Sequence, residues 1–116
     1  MDQHPTPSEL AQRQLDAYNA HDLPGFLACY DPAVRIHDLP GGELRMEGHE
    51  AMAARYGPMF QRPDLHAELV GRLAMGDWVI DQERVRGALP DQVVHALAIY
   101  QVRAGKIAAV WFARGA

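Results

Sequence analysis

Apolar residues recur every three or four positions over the first sixty residues and then alternate or run together to the end. Thr6-Pro7-Ser8-Glu9 has the form of a helix start: Thr6 can cap, Pro7 suits the first helical position and Glu9 can reach back to the cap. Leu10, Ala11, Leu15 and Tyr18 then fall on one side of that helix, and the polar Gln14 lies on the same stripe. Asp22 can cap a second helix, in which Leu23, Phe26, Leu27 and Tyr30 make one apolar face before Asp31-Pro32 stops it. Val34 to Asp38 alternates as a half-buried strand and ends in the turn Leu39-Pro40-Gly41-Gly42, with a short return over Glu43 to Met46. A third helix follows Gly48, turns Met52, Tyr56 and Phe60 inward, and breaks in its last turn at Gly57-Pro58.

Four strands complete the chain: Leu65 to Leu73, Trp78 to Arg86, Val93 to Arg103 and Ile107 to Phe112. The short links between them make antiparallel neighbours, so the layer order is α+β, with three helices on one face of a curved sheet. Residues 1–7 are expected to be a flexible lead and 8–116 a single domain without internal repeats. Val79, Val85, Val94, Ala96, Ala98, Tyr100 and Trp111 form an apolar set beyond what the helices need. They are assigned to the outer face of the sheet, where a homodimer would cover them.

Composition removes several functions. The 11 basic and 15 acidic residues give a net charge of −4 and no basic run, which argues against nucleic acid and an anionic membrane surface as partners. The single cysteine, Cys29, excludes an internal disulfide and a multi-thiolate metal site. The six histidines show no metal-ligand spacing, and Gly41-Gly42 has no helix behind it to cradle a phosphate, so neither a metal nor a cofactor is expected. The polar N-terminus and the lack of a long apolar run point to a cytoplasmic protein.

Ala17-Tyr18-Asn19-Ala20-His21-Asp22-Leu23, leading into Phe26-Leu27-Ala28-Cys29-Tyr30, resembles the nuclear transport factor 2-like superfamily, in particular its ketosteroid isomerase and SnoaL-like (polyketide cyclase-like) branch. Leu39-Pro40-Gly41-Gly42, Gly48-His49-Glu50-Ala51-Met52 and Gly105-Lys106-Ile107 extend the resemblance over about residues 8 to 113. It implies a cone-shaped α+β fold, three N-terminal helices packed on a strongly curved, mixed but mostly antiparallel sheet, enclosing a pocket for a small apolar molecule. It also implies a dimer through the outer sheet face. In the isomerase pattern the general base falls on Asp38 and two buttressing tyrosines on Tyr30 and Tyr56. The two strong oxyanion donors fall on Gln14 and at or near Ile99, where this chain carries neither a tyrosine nor an aspartic acid.

The expected site is therefore Asp38 and His95 as catalytic groups, with Gln14, Tyr18, Tyr30, Tyr56, Gln82 and Ile99 around the substrate. A carboxylate at a strand end beside Ile36 would be partly desolvated and so a usable base. Equally, Asp38 can serve only the turn that follows it. His95, in the apolar stretch Val93 to Leu97, is either an acid opposite Asp38 or a buried neutral imidazole. Gln14 and Gln82 can replace the missing donors or bond to each other, the tyrosines can be plain core aromatics, and Asp81, Glu83, Arg84 and Arg86 are read as ion pairs across the sheet. Two functions follow. One is a cofactor-independent isomerase, cyclase or dehydratase acting on an apolar carbonyl compound through Asp38; the other is a non-catalytic module that binds an apolar ligand.

Overall fold

The computed structural model describes residues 4–115. The first three residues of the expected flexible lead lie outside the described residues. Helix α1 (Pro7–Asn19) starts as its sequence dictates: the Thr6 hydroxyl accepts from the Glu9 N–H at 3.1 Å and the Glu9 carboxylate accepts from the Thr6 N–H at 2.9 Å. Helix α2 (Leu23–Leu27) is capped by Asp22 and is shorter than expected, because Tyr30 already belongs to strand β1 (Tyr30–Asp38) and pairs with Ile107. Asp31-Pro32 is absorbed as an irregularity in that strand and not as a stop. Strand β2 (Leu44–Glu47) leads into α3 (Gly48–Met59), which runs through Pro58 to its end. Strands β3 (His66–Met75), β4 (Trp78–Leu89), β5 (Gln92–Arg103) and β6 (Lys106–Gly115) follow.

The six strands form one open, mixed sheet in the order β2-β1-β6-β5-β4-β3, antiparallel throughout except for the parallel pair β1 and β6. Phe26, Met52, Phe60 and Leu65 pack between the helices and the sheet with Ile36, Val79, Ala98, Tyr100 and Val110. Two side chains fasten the end of α1 to the edge strand region. Asn19 bonds both the N–H and the C=O of Ala67, at 2.8 and 2.9 Å, and the His21 Nε2 lies 2.8 Å from the Leu65 carbonyl oxygen. Gly87 (φ +83°) permits the close approach: a Cβ there would stand 2.6 Å from the Leu65 backbone.

The inner face of the sheet is the one assigned outward from sequence. Val79 and Ala98 are wholly buried and Tyr100 nearly so, while Val85, Val94 and Ala96 line the interior with them. Of that set only Trp111 points the other way, stacking on His37 and lying against Trp78. The outer face instead carries Leu73, Trp78 and Leu97, all exposed.

The inner face also holds a buried ion pair. Asp81 on β4 is fully buried and accepts two bonds from its register partner Arg72 on β3, Nε–Oδ1 at 2.7 Å and Nη2–Oδ2 at 2.9 Å. The third bond of that guanidinium runs to Gln12 on α1, Nη1–Oε1 at 2.9 Å, so one arginine joins the helix layer to the sheet. Removing one partner of such a pair typically costs about 3–5 kcal/mol, because the other charge stays buried and unpaired. Arg72→Met is expected to lower unfolding free energy by about that amount in urea titration, and Asp81→Asn/Arg72→Met together by clearly less.

Candidate functional site

Between α1, α3 and the inner sheet face lies a cavity of about 140 Å³. Its floor is aromatic and apolar: Leu15, Tyr18, Phe26, Tyr30, Tyr56, Met59, Val85 and Tyr100. Phe26 packs edge-on or tilted against Tyr18, Tyr30 and Tyr56, with ring centroids 5.0 to 5.9 Å apart, which fixes where the three phenols point. The Tyr30 hydroxyl donates to the Gln14 Oε1 at 3.0 Å, and Gln14 Nε2 donates to the Ala11 carbonyl at 3.0 Å. Burial raises the pKa of all four tyrosines, Tyr56 to about 12 against the pull of Arg55, Arg45 and Arg114. At neutral pH they are hydrogen-bond donors, not phenolates.

Glu83 is the acid of this cavity. It sits on β4 two residues from Asp81, lines the cavity, is 7% exposed, and has no ion pair or hydrogen bond with any described residue. Desolvation, and then the charge of Asp81, push its pKa up to about 7, with Arg72 pulling weakly the other way. A carboxyl half-ionised near neutrality can take a proton in one form and return it in the other.

The structure gathers four of the eight expected site residues and scatters the rest. Gln14, Tyr18, Tyr30 and Tyr56 all line the cavity. Asp38 does not: its side chain is 38% exposed and its Oδ2 lies 3.2 Å from the Arg45 Nε, an ion pair at the strand end. The turn is held by the Asp38 backbone, whose N–H donates to the Glu43 carbonyl at 2.9 Å and whose C=O accepts from the Gly42 N–H at 2.6 Å. His95, Gln82 and Ile99 lie on the opposite face of the sheet, correcting the parity expected for them. Each is a neighbour, along its strand, of a residue that faces in: Val94 and Ala96 flank His95, Glu83 follows Gln82, and Tyr100 follows Ile99. On that outer face Gln82 is the register partner of Leu97, and His95 that of Arg84.

Sequence reasoning passed over Glu83 by assigning it, with Asp81, Arg84 and Arg86, to ion pairs across the sheet. The signal was present, since Val79, Asp81, Glu83 and Val85 share one strand face and must go in or out together. Among the described residues no group of three or more His, Cys, Asp or Glu could hold a metal ion, and no helix is long and apolar enough to cross a membrane.

Three helices on a mixed sheet, with an aromatic cavity between them, make the fold of NTF2-like proteins. Residues 11–110 match the SnoaL-like domain family, and the chain belongs to it. No curated protein matches the sequence. Among solved structures, a cystatin-fold protein from Novosphingobium aromaticivorans superposes with a TM-score of 0.82 at 23% identity, covering 93% of this chain and 97% of that one. A protein from Kribbella flavida provisionally described as a ketosteroid isomerase gives 0.80 at 18% identity, over 95% of this chain and 78% of its own. A provisionally described hydroxylase from Streptomyces galilaeus gives 0.77 at 19% identity, over 94% and 78%. At these identities the likeness establishes the fold alone.

The shifted Glu83 has a consequence for stability. An acid whose pKa rises on folding holds its proton more tightly when folded, so stability falls as pH climbs from the ordinary value of 4.5 to about 7. The full loss is of the order of 3 kcal/mol at about 1.4 kcal/mol per unit. Glu83→Gln is expected to abolish that fall, so that its stability relative to the native protein improves between pH 5 and 8 in denaturant titrations at each pH.

Proposed function

We propose that this protein is a cofactor-independent acid–base catalyst acting on a small apolar carbonyl compound, with Glu83 and not Asp38 as the proton-transferring group. One observation carries the reading: a buried carboxyl with no ion pair or hydrogen bond among the described residues opens into a cavity lined by four phenols. Ionised Glu83 would remove a proton next to the carbonyl. The Tyr18, Tyr56 and Tyr100 hydroxyls would donate to the enolate oxygen, and protonated Glu83 would return the proton elsewhere on the same skeleton. That sequence is an isomerisation. In an intramolecular aldol cyclisation the enolate carbon would instead attack a second carbonyl of the same molecule, whose oxygen takes the proton from Glu83. In a dehydration the enolate would expel a β-hydroxyl, which leaves with that proton as water. Donors preset toward a developing oxyanion are each worth a few kcal/mol in a water-poor site, and rings packed on Phe26 need little reorganisation. The SnoaL-like membership and the fold shared with a protein described as a ketosteroid isomerase agree with this chemistry.

The test needs no knowledge of the natural substrate. Small alicyclic and aryl ketones are incubated with the protein in deuterium oxide, and exchange at the carbon next to the carbonyl is followed by NMR. Glu83→Gln is expected to lower the catalysed rate by about 10²–10⁴-fold, the usual worth of a general base. Asp38→Asn should leave it within a few-fold of the native rate. Exchange that survives Glu83→Gln, or that is lost with Asp38→Asn, would return the base to β1. Ketone binding with no catalysed exchange would make the protein a non-catalytic module for an apolar ligand.

A further inference from the structure

The cavity is not uniformly apolar. Arg45 on β2, Arg55 on α3 and Arg114 on β6 line it, and all three are exposed, so they form its rim rather than its floor. Three of the 11 basic residues thus meet at one opening of a protein whose net charge is −4. They come from three separate elements and line the same cavity as Tyr56. Asp38 pairs only with Arg45; neither Arg55 nor Arg114 makes an ion pair or hydrogen bond with another described residue. The rim therefore presents two uncompensated guanidiniums above a cavity whose one acid, Glu83, lies buried among tyrosines.

We infer that the ligand of this cavity is an amphiphilic carboxylate, its apolar body lying toward Tyr18, Tyr30 and Glu83 and its carboxylate held at the rim by Arg55 and Arg114. Guanidinium geometry matches a carboxylate in two parallel bonds, stronger than those between neutral partners. The reversed orientation would set the carboxylate against Glu83 in a medium that already disfavours a single negative charge there. The charge distribution thus selects both a ligand class and a direction of entry. The inference deepens the reading above in sharing its cavity, and it uses Glu83 as a buried acid without requiring that it transfer a proton.

The test compares phenylacetate, cinnamate and naphthoate, each with its own primary amide, by calorimetry or ligand-observed NMR. At low ionic strength the native protein is expected to bind each carboxylate about tenfold or more tightly than the matching amide. That preference should shrink several-fold on going from about 0.02 to about 0.5 M salt, as screening shortens the reach of exposed charges. Arg55→Gln/Arg114→Gln should remove most of it, by weakening the carboxylates rather than by tightening the amides. Equal affinity for acid and amide, a preference that survives the double arginine variant, or no binding of any probe at millimolar concentration would overturn the inference. The deuterium exchange is read separately. Loss of the carboxylate preference with exchange intact removes this inference alone, whereas an arginine-dependent preference without exchange removes the catalytic reading alone.

Discussion

Two buried carboxyls share one strand face and a single guanidinium bonds only one of them, and the site follows from that asymmetry. Asp81 and Glu83 lie two residues apart on β4 and so face the same interior. Arg72 gives two hydrogen bonds to Asp81 and one to Gln12, and none to Glu83. The arrangement is asymmetric by construction. Asp81 is ion-paired and becomes part of the framework, while Glu83 receives the repulsion of Asp81 and a smaller attraction from Arg72. A carboxyl in that position costs stability when ionised, and proteins retain such a group where its reactivity is used.

The same guanidinium ties this acid to the wall opposite it. Its bond to Gln12 sets α1 against the β3–β4 hairpin, and two residues further along α1 Gln14 meets the Tyr30 hydroxyl. At the far end of the helix Asn19 and His21 bond to the backbone at Ala67 and Leu65. The helix is therefore held at several points along its length, with Tyr18 beside Asn19 and turned to the cavity. The phenols are positioned by rigid elements and by ring packing, which is what a preset donor array requires.

Most of the fold was legible because its signals are local. The Thr6 to Glu9 capping box, the Asp22 cap and the short hairpin links between the last four strands each depend on a few neighbouring residues. The site was half legible for the opposite reason. Gln14, Tyr18, Tyr30 and Tyr56 sit on or beside helices, where spacing identifies the inward stripe, and all four line the cavity. On β4 and β5 the alternation does not decide which face turns inward. Val93 to Tyr100 is apolar at both parities apart from His95, and the inward face of β4 carries two carboxyls while the outward face carries Trp78 and Ile80. The rule that apolar residues go inside then points the wrong way. Grouping Val79, Val85, Val94, Ala96, Ala98 and Tyr100 on one face was possible from parity; deciding which face required knowing where the helices and Arg72 lie.

Asp38 shows why a position carried over from a fold cannot carry its chemistry with it. A strand-end carboxylate acts as a base only while no cation satisfies it and water is kept away. Here Arg45 lies 3.2 Å from it and more than a third of the side chain is exposed. Both conditions fail on β1, and both are met at Glu83 on β4, across the cavity. The exchange also reorganises the opening. With its carboxylate bound to Arg45, Asp38 cancels one of three positive charges at the rim, while Arg55 and Arg114 remain free to face an incoming anion. A base at the rim and a bare cationic rim are incompatible, since each would neutralise the other. Moving the acid inward is what allows one small cavity to keep a reactive carboxyl at its floor and a positive field at its mouth.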